Sequence, residues 1–201
     1  MCQYPLFETI AIIDGKVQNI FYHQQRMNNA FRYYFKQENN FVLSEIINIP
    51  EEYQKGLVRC RIDYNTKEYQ VQFFHYVPKT IKTFQCVYVE NFDYQFKYTD
   101  RLELEQLKQT SCDEIILVNN GFISDCSIGN LLFLKQGKWY SPNHYLLKGT
   151  QLSHLLDEQK ISLVDIPVEA LFDYDQIMVI NALNPFDLQR AVSITSGHIL
   201  R

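Results

Sequence analysis

Apolar and polar residues alternate through Leu6–Val17 (LFETIAIIDGKV), and the Asp14-Gly15 pair interrupts the pattern. Period two marks a half-buried strand and Asp-Gly suits a two-residue hairpin turn, so a hairpin is predicted whose second strand runs to Phe21. From His23 the period lengthens. HQQRMNNAFRYYF sets Met27, Ala30, Phe31 and Tyr34 on one stripe, a helix with Arg26 near its first turn. The stretch from Phe41 to Gly56 is predicted helical about Pro50-Glu51-Glu52, since proline and acids suit a first turn. Period two resumes in LVRCRIDY (Leu57–Tyr64) and YQVQFFHYV (Tyr69–Val77). These strands and the hairpin predict a small antiparallel sheet with two helices, a first domain over residues 1–80 that ends in the polar, proline-marked Pro78-Lys79-Thr80.

The second domain, residues 81–201, is predicted to begin with a strand at Phe84–Glu90 and a helix at Arg101–Gln109 whose charged face is solvated. Strands follow at Glu114–Val118, Phe122–Ser124, Asn130–Leu134 and Lys138–Ser141, separated by Asn-Gly and Gln-Gly turns. A helix is expected over Gln151–Gln159 with Leu152, Leu155 and Leu156 inward. A last strand pair is placed around Leu163–Val168 and Gln176–Ala182, a short helix at Val168–Phe172, and edge structure in Val192–Leu200. The fold class is α+β.

Composition narrows the function. With 46% hydrophobic and 21% charged residues the 201-residue chain can bury real cores. The net charge of -4 comes from interspersed acids and bases, so no surface for nucleic acid or anionic membrane is expected. No apolar run reaches transmembrane length and no leader pattern is seen, which predicts a soluble, cytoplasmic protein. Five cysteines without CxxC spacing and five dispersed histidines predict neither a disulfide framework nor a metal site.

One lysine draws attention. Lys97 ends an aromatic, strand-like run (Val87, Tyr88, Val89, Phe92, Tyr94, Phe96), just ahead of a helix-like start at Thr99-Asp100. An amine that forms an imine must be reachable and partly desolvated, because a hydrated ammonium is protonated and not nucleophilic. Taken alone, Lys97 is equally an ordinary surface lysine of an edge strand. On β alternation Arg59 and Arg61 share one face of their strand. They either bind a dicarboxylate, if that face looks into a cleft, or face solvent and pair with acids such as Asp63 and Glu68.

The series FET, DGKV, HQQR, FKYTDR, DEIILVNNGFISDCSIGNLLF, LLKGTQLSHLL and DQIMVINAL, in that order from Leu6 to Leu188, resembles the class IV (fold type IV) aminotransferases. That family uses pyridoxal phosphate and includes branched-chain and D-amino-acid aminotransferases and 4-amino-4-deoxychorismate lyases. The resemblance implies two domains, a small α/β sandwich and a larger pseudo-barrel, in a homodimer acting on a small-molecule substrate. By position it implies that Lys97 is joined to the coenzyme as an imine and that Asp125 stands against the pyridine nitrogen. It further implies that Arg26, Gly149-Thr150 and Asn181-Ala182 receive the phosphate. Two positions depart from the pattern: Asp125 replaces a glutamate, and Gln151 replaces an arginine. HQQR, DEIILVNNG and INAL are closest to lyase-type sequences, which implies conversion of aminodeoxychorismate to 4-aminobenzoate and pyruvate in folate biosynthesis. An amino-acid aminotransferase on the same scaffold, or a degenerate, non-catalytic homologue, are the alternatives.

Overall fold

The computed structural model describes residues 3–108 and 111–200. The chain divides into two compact units, Met1–Pro78 with Phe96–Asp100, and Lys79–Gln95 with Arg101–Arg201.

In the first unit, β1 (Leu6–Ile13) and β2 (Lys16–Val17) form the expected hairpin. Asp14 and Gly15 both take positive φ, 47° and 73°, the geometry that makes Asp-Gly suited to this turn. The second strand is two residues long and does not reach Phe21. Asn19, at φ 52°, reverses the chain into helix α1 (Ile20–Ala30), which therefore starts three residues before His23. The helix continues as a wider π turn over Phe31–Phe35 and stops at Lys36, again left-handed. The helix expected over 41–56 is reduced to one turn, α2 (Leu43–Ile46), and a 3-10 turn at Glu51–Tyr53. Pro50 explains the break: its ring disfavours helical backbone at the preceding residue, and it has no N–H for a helical bond. Strands β3 (Leu57–Tyr64) and β4 (Tyr69–His75) complete an antiparallel sheet of order β2-β1-β3-β4.

One face of this sheet, Leu6, Ile10, Ile12, Val58, Cys60, Ile62 and Tyr64, packs on Met27, Ala30, Phe31 and Leu43. Phe96 and Tyr98 pack against the same cluster. The Phe7 amide donates to the Lys97 carbonyl at 3.0 Å, and the Thr99 amide to that of Pro5 at 2.8 Å. Lys97 thus belongs to the first unit, not to the larger domain in which a division at residue 80 would put it. Burial of two aromatic rings outweighs continuity along the chain.

The second unit contains β5 (Phe84–Val89), α3 (Leu102–Leu107), β6 (Glu114–Asn119), β7 (Phe122–Ile123), β8 (Asn130–Lys135) and β9 (Lys138–Pro142). After these come α4 (Thr150–Asp157), β10 (Ile161–Val164), β11 (Gln176–Ile180), β12 (Val192–Ser193) and β13 (Ile199–Leu200), with a 3-10 segment at Val168–Asp173. Gln109, the last residue of the helix expected before β6, lies outside the described residues. Two sheets form, β13-β5-β6-β7 and β10-β9-β8-β11-β12. The strands expected as a final pair are not neighbours: β10 joins β9 in parallel, whereas β11 pairs with β8. Periodicity shows that a strand is half buried; which strand lies beside it is set by α4, the crossover between the parallel strands β9 and β10.

The sheets share a core of Phe84, Cys86, Ile116 and Val118 against Leu131, Phe133, Ile177 and Val179. Their outer faces are covered by α3, through Leu104 on Ile115 and Leu117, and by α4, through Leu152 and Leu155 on Leu132, Met178 and Ile180. No helix among the described residues is long and apolar enough to cross a membrane. The cysteines 60, 86, 112 and 126 form no disulfide, and no group of metal-ligating side chains occurs among the described residues.

Candidate functional site

Strand alternation divides the chemistry of the first unit between the two faces of its sheet. Glu8 points toward α1 and is completely buried, a position a carboxylate occupies only when paired. Arg26 grips it with two parallel bonds, Nε to Oε1 at 2.8 Å and Nη2 to Oε2 at 2.6 Å. His23, one turn earlier on the same helical stripe and also fully buried, places Nδ1 2.7 Å from Oε2. Burial would raise the Glu8 carboxyl, but the Arg26 charge and the bonds from His23 and Arg26 outweigh it and hold the group at about 2. Burial lowers the pKa of His23, which is therefore neutral at pH 7. Since ionised Glu8 only accepts, the network assigns the ring proton to Nδ1.

On the opposite face Phe7 carries two cations, with the Lys97 ammonium nitrogen 4.7 Å and the Arg61 guanidinium carbon 4.0 Å from its ring centre. Arg61 is paired with Asp63 through two bonds of 2.7 and 2.5 Å, so of the two readings of this arginine the ion pair is realised. Arg59 lies over Phe74 at 4.6 Å.

In the second unit Asp125 follows β7 and is buried. Oδ1 accepts from Asn130 Nδ2 at 2.7 Å, and Oδ2 from the amides of Leu146 and Leu147 at 2.9 and 3.0 Å. All three donors are neutral. Burial pushes the carboxyl up to about 7, against the lowering effect of those N–H groups. Asn130 is the hinge of the arrangement, since its Oδ1 also accepts from the Gly149 amide at 3.1 Å. A Cβ at Gly149 would collide with that oxygen, which explains a glycine immediately before Thr150 and the start of α4. Thr150 and Gln151 are buried at this helix start. Asn181, just beyond β11, accepts from the Leu183 and Asn184 amides at 2.9 Å and donates to the Ile128 carbonyl at 3.1 Å. Gly129 is packed so closely on the Ile180 carbonyl that no Cβ fits. The loop after Asp125 is also tied to Arg101, whose Nη2 donates to the Ser127 carbonyl at 2.6 Å, and to Glu114, which accepts from the Ser127 amide at 3.2 Å.

The structure therefore gathers the expected residues in two groups. Lys97, Arg26, Arg59 and Arg61 lie in the first unit, and Asp125, Gly149, Thr150, Asn181 and Ala182 in the second. Glu8, His23, Asn130 and Arg101 were missed by sequence reasoning. Glu8 and His23 stood in the quoted FET and HQQR strings, but nothing in a linear sequence says that residues 8, 23 and 26 meet.

Asp125 gives a prediction with a definite sign. A folded carboxyl at about 7 against 3.8 contributes stability that is fully present below 3.8 and lost as pH rises through 7. Asp125→Asn sets an NH2 against Asn130 or the two amides and is expected to cost about 1–3 kcal/mol. Urea unfolding of the coenzyme-free protein should show this deficit shrinking between pH 4 and pH 8, by at most about 1.4 kcal/mol per unit. A deficit that grew with pH would contradict the assignment.

The first unit is an α+β sandwich with Lys97 over Phe7 and Arg26 on Glu8, and the second carries two sheets with the buried Asp125 bonded by the loop that leads into α4. A family model described as amino-transferase class IV matches residues 5–186, so the chain belongs to the class IV aminotransferases, a family of pyridoxal-phosphate-dependent enzymes. An uncharacterized protein of Haemophilus influenzae is 44% identical over 185 residues, which cover 90% of this chain and 98% of the relative. A crystal structure from Haemophilus somnus 129PT, provisionally named a 4-amino-4-deoxychorismate lyase, is 40% identical with a TM-score of 0.86 and covers 92% of this chain and 100% of that one. The pyridoxal-phosphate-bound form of a hypothetical aminotransferase from Mycobacterium tuberculosis is 14% identical with a TM-score of 0.72, covering 95% and 80%, a likeness of fold alone.

Proposed function

We propose that this chain is a pyridoxal-phosphate-dependent lyase that converts 4-amino-4-deoxychorismate to 4-aminobenzoate and pyruvate, a step of folate biosynthesis. The observation that carries this reading is the 40% identity over the full length of the provisionally named lyase. The residues present fit the coenzyme. Asp125 is a buried carboxyl group bonded, among the described residues, by neutral N–H groups, and a ring cation would complete its surroundings and stabilise its ionised form. Gly149-Thr150 and the Asn181-Ala182 turn would hold the phosphate, and the planar fork of Arg26, kept at a fixed angle by Glu8, suits the same kind of group.

When bound, pyridoxal phosphate supplies an electron sink for a substrate carbanion. The Lys97 amine would hold the coenzyme. Its Nζ then takes the proton from the ring carbon bearing the substrate's amine and returns a proton to the departing enolpyruvate, so that the ring becomes aromatic and pyruvate leaves. Arg101 and Glu114 hold the loop that follows Asp125 and keep the carboxylate in place.

The test is to incubate the purified protein with aminodeoxychorismate and follow pyruvate with a coupled dehydrogenase. Stoichiometric pyruvate and 4-aminobenzoate support the lyase. Amino-group transfer from an amino acid to a 2-oxo acid, with no pyruvate from aminodeoxychorismate, would replace it by the aminotransferase. A protein that stays colourless when pyridoxal phosphate is added would remove both.

A further inference from the structure

We infer that Lys108 is a positioning residue for Asp125, acting through Glu114 and the turn that leads from Asp125 to Asn130. The inference rests on the reading of Asp125 as the group that meets the coenzyme's ring nitrogen. Glu114 opens β6, is fully buried, and pairs through Oε2 with the Lys108 ammonium at 2.7 Å. Its Oε1 accepts from the Ile115 amide at 2.9 Å and from the Ser127 amide at 3.2 Å. A buried ion pair adds little stability over an apolar pair of the same size, because both ions give up water. What the carboxylate does here that an apolar side chain cannot is to accept from Ser127.

Ser127 is held on both sides of its peptide unit from the two ends of one helix. Arg101 and Lys108 flank α3, which is seated by Leu104 on Ile115 and Leu117. Arg101 donates from Nη2 to the Ser127 carbonyl at 2.6 Å and from Nη1 to the Tyr94 hydroxyl at 2.9 Å. Lys108 reaches the Ser127 amide by way of Glu114. The turn closes on itself, the Cys126 amide donating to the Gly129 carbonyl at 3.0 Å, and delivers Asn130 to the Asp125 carboxyl at 2.7 Å. The Asp125 carbonyl is already fixed to β6, accepting from the Leu117 amide at 2.9 Å, so what the turn sets is the place of the donor Asn130. Without the Lys108 charge the Glu114 carboxylate is left bare in a core and takes a proton or draws in water. Either change weakens its hold on Ser127 and loosens the turn.

The experiment measures pyridoxal phosphate binding by absorbance for wild type, Lys108→Met, Asp125→Asn and the double variant, a cycle in which residues acting as a unit are non-additive. Lys108→Met should weaken the coenzyme about tenfold in the wild-type background and by less than about twofold beside Asp125→Asn. Lys108→Arg, which keeps the cation, should stay within about threefold of wild type. Lys108→Met/Glu114→Gln, which gives Ser127 a neutral acceptor, should recover most of the loss. The analogue of pyridoxal phosphate with C–H in place of the ring nitrogen repeats the test without the Asn variant, and Lys108→Met should cost it less than about twofold. Where Met prevents folding, Lys108→Gln, which still donates to Glu114 but carries no charge, takes its place. Circular dichroism of the coenzyme-free proteins establishes that each variant is folded. A purely structural ion pair would weaken both backgrounds and both ligands equally, and that result, or no loss in Lys108→Met, would overturn the inference. Asp125→Asn binding the coenzyme like wild type would instead remove the reading of Asp125 and the inference with it. Pyruvate release by the wild type does not depend on these comparisons, so failure of the lyase reading gives a different result.

Discussion

Lys97→Ala is expected to abolish pyruvate release, by more than about a thousandfold, while the protein remains folded. The size of the effect follows from the two tasks assigned to one nitrogen, as nucleophile and as proton carrier. The fold is insulated from the change because the chain is held here by backbone: the Lys97 carbonyl accepts from Phe7, and the neighbours Phe96 and Tyr98 fill the core. Loss of the ammonium over Phe7 removes one cation–π contact, about 1 kcal/mol. The measurement pairs turnover with thermal unfolding and with borohydride reduction followed by peptide mapping. Wild type should carry the reduced adduct on the peptide containing residue 97 and the variant should carry none. A variant retaining more than a few per cent of the rate would remove Lys97 from the chemistry.

Glu8→Gln is expected to produce the largest loss of stability, about 3–5 kcal/mol. The amide has almost the shape of the carboxylate, so packing is preserved and charge alone is tested. Arg26 would be left as an uncompensated cation beside a core, and the His23 N–H would lose a charged acceptor. A folded value of about 2 against 4.5 means that Glu8 contributes stability present above 4.5 and lost as pH falls through 2. His23 acts in the same direction from a higher starting point, because the unfolded ring takes a proton near 6.5 that the buried one resists. Wild type should therefore weaken on acidification from below pH 6.5, and the Gln variant should show a flatter acid limb in urea unfolding measured from pH 7 to pH 3. If the two limbs ran parallel, the pairing of Glu8 with Arg26 and His23 would not be an energetic anchor.

Much of the local structure was legible along the chain. The strand β3 was expected with its bounds as found, and the Asp14-Gly15 turn followed from a conformational demand that few residue pairs meet. Where Pro50 intervened, or where Asn19 turned left-handed, the pattern misled, because single-residue backbone geometry overrode an average periodicity. The order of the site motifs was also legible, and with it the family. Which side chains spend their charge on one another was not. Arg61 read as an available cation, yet Asp63 pairs with it from two residues away, and Glu8 fixes the fork of Arg26 from eighteen residues away.

The sequence by itself determined the periodicities, the turns and the motif series that identifies a class IV aminotransferase, since each is a property of neighbours along the chain. Only the tertiary structure decided that the segment around Lys97 packs into the first unit, that β10 and β11 lie apart, that three neutral donors bond Asp125, and that Asp63 pairs with Arg61. The reason is the same in each case. Burial, ion pairing and strand adjacency depend on distances through space, and a linear pattern fixes which face a residue occupies without fixing what it meets there.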